Sequence, residues 1–157
     1  MDHDEACLEK GIPEHLHQCK RESVPFFDAN ELLFRRITLP CEDFTARVSF
    51  NRKNSSVNRD KFSSPDDARW DVEKGVYHKE SGVISFPADA FKNREWHTDE
   101  KTPVRFRLNV FHDPMRCNYS HTDFHFVRDE QEVQEIKPKS VKMKIREFLA
   151  PLIEQVA

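Results

Sequence analysis

The pattern over residues 104–127 constrains the fold most. Val104, Phe106, Leu108 and Val110 alternate with Arg105, Arg107 and Asn109; beyond His112-Asp113-Pro114, Phe124 and Phe126 alternate with Asp123 and His125. Side chains change face at every residue of a strand, so both stretches read as half-buried β-strands. The second, over 122–127, sends Phe124 and Phe126 into a core and sets His121, Asp123 and His125 in a row on the other face. Apolar strand faces need a covering layer. The C-terminal segment supplies one, because Val141, Ile145, Phe148, Leu149, Leu152 and Val156 form a single stripe at helical spacing. Ser140 can cap that helix, and Pro151 kinks or divides it.

Other elements are read in the same way. Residues 30–38 predict a strand with Leu32, Phe34 and Arg36 on one face and Leu33, Arg35 and Ile37 on the other. The alternation of Phe44, Ala46, Val48 and Phe50 predicts another. Residues 51–65 are polar and serine-rich and predict a long loop, of a kind usually kept to bind something. Ser64-Pro65-Asp66-Asp67 opens a short helix: serine caps, proline takes the first position, and the acids favour the dipole. Residues 75–78 and 82–86 read as a hairpin, and 91–102 as a charged connection. The expected architecture is α+β: a twisted, mainly antiparallel sheet of about five to seven strands with helices packed on it. A short arm (1–24) precedes the core domain (25–136), and the C-terminal helix (137–157) packs on that core. Only 37% of residues are hydrophobic, but 13 are phenylalanine. Phe62, Phe106, Phe124 and Phe126 are therefore expected in the core.

Composition removes several function classes. Charged residues make up 34% of the chain, yet the net charge is -3, which argues against nucleic acid as a partner. No apolar run approaches the ~20 residues that span a bilayer. The acidic start, Met1-Asp2-His3-Asp4-Glu5, does not read as a secretory signal, and none is expected. Cys7, Cys19, Cys41 and Cys117 are scattered without a C-x-x-C pair, which predicts free thiols in a reducing cytoplasm. A zinc site from Cys7, His15, His17 and Cys19 would match no familiar tetrahedral spacing. With only Gly11, Gly75 and Gly82 there is no glycine-rich phosphate loop. Anion binding must then rest on arginines such as Arg35, Arg36, Arg47, Arg52 and Arg59, whose forked donors suit phosphate.

The row His121-x-Asp123-x-His125 carries two readings. One is a metal-dependent enzyme. Neighbours on one strand face stand about 6.7 Å apart along the strand, so three in a row cannot share one ion and His112 is the obvious further ligand. The other is acid–base chemistry, since a histidine beside an aspartate is held in one tautomer and titrates near neutral pH.

The order of motifs is itself informative. Leu33-Phe34-Arg35-Arg36-Ile37, Asn58-Arg59-Asp60-Lys61-Phe62-Ser63-Ser64-Pro65-Asp66-Asp67, Gly82-Val83-Ile84-Ser85-Phe86, His112-Asp113-Pro114 and Asn118-Tyr119-Ser120-His121-Thr122-Asp123 follow one another. The series resembles a poorly characterised group of small bacterial proteins with L-Y/F-R-R-I, N-R-x-K-Y/F-S-x-P-E/D-D and N-x-x-H-x-E motifs. More distantly, it resembles ADP-ribosyltransferase-like toxins, the RES toxins among them. That likeness implies NAD as ligand, gripped by an arginine on an early strand (Arg35 or Arg36, with Arg59 in support). It implies a serine near the nicotinamide (Ser55, Ser56 or Ser63). It also implies an acid on a late strand that steadies the ribose oxocarbenium charge. Asp123 stands there, with Glu130 or Glu132 as substitutes, and His121 would orient the ligand or shuttle a proton. The leading expectation, to which that enzyme reading is the alternative, is a non-catalytic or accessory component of a bacterial toxin or defence assembly, docking a protein partner through its C-terminal helix and N-terminal arm.

Overall fold

The computed structural model describes residues 3–48, 51, 56–91, 94–97, 104–137 and 139–157. The strands are β1 (Leu32–Ile37), β2 (Val57–Arg59), β3 (Trp70–Asp71), β4 (Val76–Tyr77), β5 (Gly82–Pro87), β6 (Arg94–His97), β7 (Arg105–His112), β8 (His121–Arg128), β9 (Gln131–Val133) and β10 (Glu154–Gln155). The α-helices are α1 (Glu5–Glu9) and α2 (Lys139–Leu149). The fold is α+β. One antiparallel sheet runs β10-β5-β1-β2-β8-β7-β6, with β9 on the far end of β8, and β3–β4 form a separate ribbon.

The alternating strands behave as their pattern dictates. In the β7–β8 register Leu108 faces Phe126 and Val110 faces Phe124, and Phe106, Leu108, Phe124 and Phe126 are at most 1% exposed. Each buried side chain of this size contributes about 1.5–3 kcal/mol. Val141, Ile145 and Leu149 of α2 are fully buried in the same core, with Phe148 edge-on to Trp96. The apolar stripe of α2 is thus spent on its own sheet, leaving Met143 as its exposed large apolar side chain. The helix also ends earlier than the stripe predicts. After a 3-10 turn at Ala150–Leu152, the chain straightens into β10 and adds an edge to β5.

Four local expectations are corrected. Phe44–Arg47 is a 3-10 helix, because the Asp43 carboxylate accepts hydrogen bonds from the Thr45 amide and hydroxyl. Thr45 and Val48 then face inward three residues apart; Phe50 lies outside the described residues. Within the expected loop, Val57–Arg59 is an interior strand, buried throughout, between β1 and β8. The expected hairpin does not form: β4 pairs with β3, and β5 pairs with β1 and β10. The 91–102 connection contains edge strand β6, which pairs with β7. The short helix at Pro65–Arg69 does form, as a 3-10 turn with the Ser64–Asp67 capping box.

The arm folds onto its own chain. Cys7, Ile12 and Leu16 join Val72 and Cys117 in a second, smaller core, and Cys7 and Cys117 form a disulfide. This corrects the expectation of four free thiols, leaving Cys19 and Cys41 free; the cysteine argument for a reducing compartment lapses with it. The zinc set is dispersed too. Cys7 is bridged, His15 pairs with Asp67 at 2.7 Å, and His17 bonds the Ile12 carbonyl and the Asp4 amide. No helix among the described residues is long and apolar enough to cross a membrane.

Candidate functional site

The two faces of the sheet differ in kind. Leu33, Val57, Phe124 and Phe126 look toward α2. On the other face, the register aligns Phe34 of β1, Asn58 of β2 and His121 of β8 in one row. β1 stays paired with β5 along its whole length but with β2 only at Leu33 and Phe34. Beyond Phe34 the strands part, and a cavity of about 390 Å³ opens in the wedge. It is lined by Phe34, Arg35, Arg36, Ser56, Asn58 and His121 on the sheet side, and by Trp70, Asp71, Glu73, Met115 and Asn118 opposite. That volume falls within the roughly 300–1,000 Å³ of small-molecule sites.

Each polar group is positioned by a bond at its back. Arg35 spans the parted strands, donating from Nε to the Arg47 carbonyl at 2.6 Å and from Nη1 to the Ser56 carbonyl at 3.0 Å. Burial, with the charge of adjacent Arg36 second, lowers its pKa from the ordinary arginine value; it stays cationic. Arg36 makes one long bond, Nη1 to the Arg69 carbonyl at 3.4 Å. Buried Ser120 donates to Asn118 Oδ1 at 2.6 Å, and Asn118 Nδ2 donates to Asn58 Oδ1 at 2.8 Å. This relay commits the Asn58 oxygen, so a donor is what its side chain has left to offer the cavity it lines.

His121 is held most definitely. Its Nδ1 lies 2.7 Å from the Asp113 carbonyl oxygen and 3.8 Å from the Asp113 carboxylate. Its Nε2 lies 3.0 Å from Ser56 Oγ. The 115–121 segment that carries it is tied to the arm by the Cys7–Cys117 bridge, by the Tyr119 amide on the Leu16 carbonyl, and by the Tyr119 hydroxyl on the Glu22 carbonyl at 2.6 Å. The arm is therefore a brace behind the pocket.

Of the residues singled out from sequence, Arg35, Arg36, Ser56 and His121 meet in this cavity. Asp123 does not line it. It follows on β8 opposite Phe111, its Oδ1 accepting the Phe124 amide, and the acid beside His121 is Asp113. Arg59 does not reach the cavity at all. It is fully buried, donating to both Glu31 oxygens at 2.9 and 2.7 Å and to the Val24 and Phe26 carbonyls, with Phe27 stacked on it at 3.8 Å. Ser63 donates to the Arg59 carbonyl, Glu130 pairs with Arg107, and Glu132 with His125. Ser55 and Arg52 lie outside the described residues. His112 points away from the His121 row, sharing the face of Thr122 and bonding the Tyr119 carbonyl and the Val24 amide. That ends its part in a metal site, and no cluster of three or more metal-ligating side chains occurs among the described residues. Asn58, Asn118, Trp70 and the pair Asp71 and Glu73 went unassigned in the sequence. The two asparagines stood inside quoted motifs, but nothing in their spacing marked them as partners.

Comparison of the chain with family models, curated proteins and solved structures finds no match.

Proposed function

We propose that the wedge pocket binds a phosphate-bearing nucleotide, with NAD the first ligand to test, and that the chain acts on it as an ADP-ribosyltransferase-like or NAD-cleaving enzyme. The observation that carries this reading is the meeting of Arg35, Arg36, Ser56 and His121 in one cavity. The remaining lining fits the same ligand. Trp70 offers an aromatic face to a base, Asp71 and Glu73 offer acceptors to ribose hydroxyls, and a guanidinium suits phosphate. In this reading the carboxylate that steadies ribose charge is Asp71 or Glu73 in place of Asp123. Docking through α2 is the weaker alternative, because its apolar stripe is already covered.

Calorimetric titration with NAD, ADP-ribose and adenosine tests the proposal. Binding of the two phosphate-bearing ligands is expected, with Arg36→Ala weakening both at least about tenfold while adenosine is unaffected. Nicotinamide release from NAD reports the catalytic part. Absence of binding by every nucleotide overturns the reading.

A further inference from the structure

The hydrogen bonds of His121 decide its tautomer. A carbonyl oxygen only accepts, so at 2.7 Å from the Asp113 carbonyl Nδ1 must carry the ring hydrogen. Nε2 of the neutral ring then presents a lone pair, and the atom facing it at 3.0 Å is the Ser56 hydroxyl, which donates. This is the relation of a nucleophile to its general base. The Asp113 carboxylate, 3.8 Å from Nδ1, is placed to steady the imidazolium that forms when the base takes a proton. Ser56 is exposed at the cavity mouth, whereas His121 is only 8% exposed, so the base is sheltered and the nucleophile is reachable. The Asn58 amide, its oxygen committed to Asn118, lines the same cavity as a hydrogen-bond donor.

We propose that Ser56 and His121 are a catalytic nucleophile–base pair that cleaves a carboxylic ester carried on a hydroxyl of an anionic ligand of this pocket. The reaction is separate from nicotinamide release, because NAD and ADP-ribose themselves bear no such ester. Only the identity of that ligand rests on the nucleotide reading; the activation of Ser56 does not. Ser56 Oγ attacks the acyl carbon as its proton passes to His121 Nε2, forming the Oγ–C bond. The carbonyl oxygen becomes a single oxyanion facing the Asn58 amide. Collapse breaks the bond between the acyl carbon and the alcohol oxygen, and Nε2 returns the proton to that oxygen. Water then repeats the sequence on the acyl-serine. It loses a proton to Nε2, the Oγ–C bond breaks, Ser56 regains its hydrogen, and the carboxylic acid leaves.

The test is covalent labelling of the intact protein with a fluorophosphonate probe, followed by peptide mapping and by turnover of p-nitrophenyl acetate. A single adduct on Ser56 is expected. Ser56→Ala should abolish both labelling and turnover, and His121→Gln should slow labelling by about a hundredfold or more. Ser56 is exposed, so its variant reports on chemistry even if His121→Gln fails to fold. No adduct on Ser56 in the folded protein, or turnover unchanged in Ser56→Ala, overturns the proposal. Release of p-nitrophenol from p-nitrophenyl phosphate but not from the acetate overturns the acyl assignment. Labelling of Ser56 that neither NAD nor ADP-ribose slows supports the nucleophile and counts against the nucleotide reading. Nucleotide binding without an adduct does the reverse.

Discussion

Arg59 and Arg36 stand on adjacent strands, and both carry the donor fork that suits phosphate, yet the molecule uses them in opposite ways. Arg59 is fully buried, bidentate on Glu31, bonded to two carbonyls and stacked on Phe27. Arg36 stands where β1 and β2 part and spends one long hydrogen bond on a carbonyl. The difference lies in what each can reach. Arg59 meets a carboxylate 28 residues earlier in the chain, and Arg36 has no carboxylate partner among the described residues. A guanidinium neutralised and sealed is part of the scaffold; one left beside a cavity is available to an anion.

The sharpest way to break this contrast is to remove the sealing acid. Glu31→Gln leaves an uncompensated charge in the core and should cost about 3–5 kcal/mol in chemical denaturation. The double change Glu31→Leu with Arg59→Met, which deletes both charges and fills the space, should recover most of that loss. If the single change proves nearly neutral, the pair is not a sealed element of the scaffold.

Next in size is the brace. The Cys7–Cys117 bridge closes 110 residues, and Cys7→Ser should cost about 2–4 kcal/mol. Hydrogen exchange should localise much of the loosening to α1 and to residues 115–121, since the small core of Cys7, Ile12, Leu16, Val72 and Cys117 depends on it. Uniform loosening across the sheet would mean that the arm does not specifically hold the pocket wall.

His112 extends the comparison to protons. His112 is buried against Phe62 and Tyr119, and burial lowers its pKa from the usual histidine value despite the bond from its ring to the Tyr119 carbonyl. The Val24 amide already donates to its Nδ1, so the folded ring has no room for a second proton there. A histidine whose folded pKa is depressed favours folding above its unfolded pKa of about 6.5. That contribution declines as pH falls below 6.5 toward the folded pKa, because the unfolded chain takes up a proton that the folded one refuses. The expected slope is at most about 1.4 kcal/mol per pH unit. His112→Gln should flatten it in denaturation curves at stepped pH; an unchanged slope would assign the acid sensitivity elsewhere.

These cases show what was legible in the chain. Strands β7 and β8 and helix α2 were readable because their burial is apolar and periodic. Strand β2 was not, because Asn58 and Arg59 are buried through partners 60 and 28 residues away, Asn118 and Glu31, and no local pattern signals that. The alternation at 44–50 misled because a single side chain, Asp43, caps a turn there. At the site, strand periodicity set Arg36 beside Phe34 on β1 and His121 opposite Phe124 and Phe126 on β8, but only the pairing through β2 brings the two to one face. Periodicity could not choose between Asp113 and Asp123, since that depends on how the chain turns after β7. The disulfide, across 110 residues, left no trace in spacing.

The smallest stability effect is expected where the functional effect is largest. Arg36 is half-buried and holds one hydrogen bond of 3.4 Å, so Arg36→Ala should change unfolding free energy by less than about 1 kcal/mol. The same substitution at Arg59 would strand Glu31 in the core. If Arg36 faces an anionic ligand, its loss should still lower affinity for ADP-ribose at least about tenfold, and Arg36→Lys should recover only part of it, since a lone ammonium cannot reproduce the fork. Paired measurements of stability and affinity on Arg36→Ala then decide between the two uses of arginine. A large loss of stability with unchanged affinity would make Arg36 a second Arg59, and the wedge would be a seam in the scaffold.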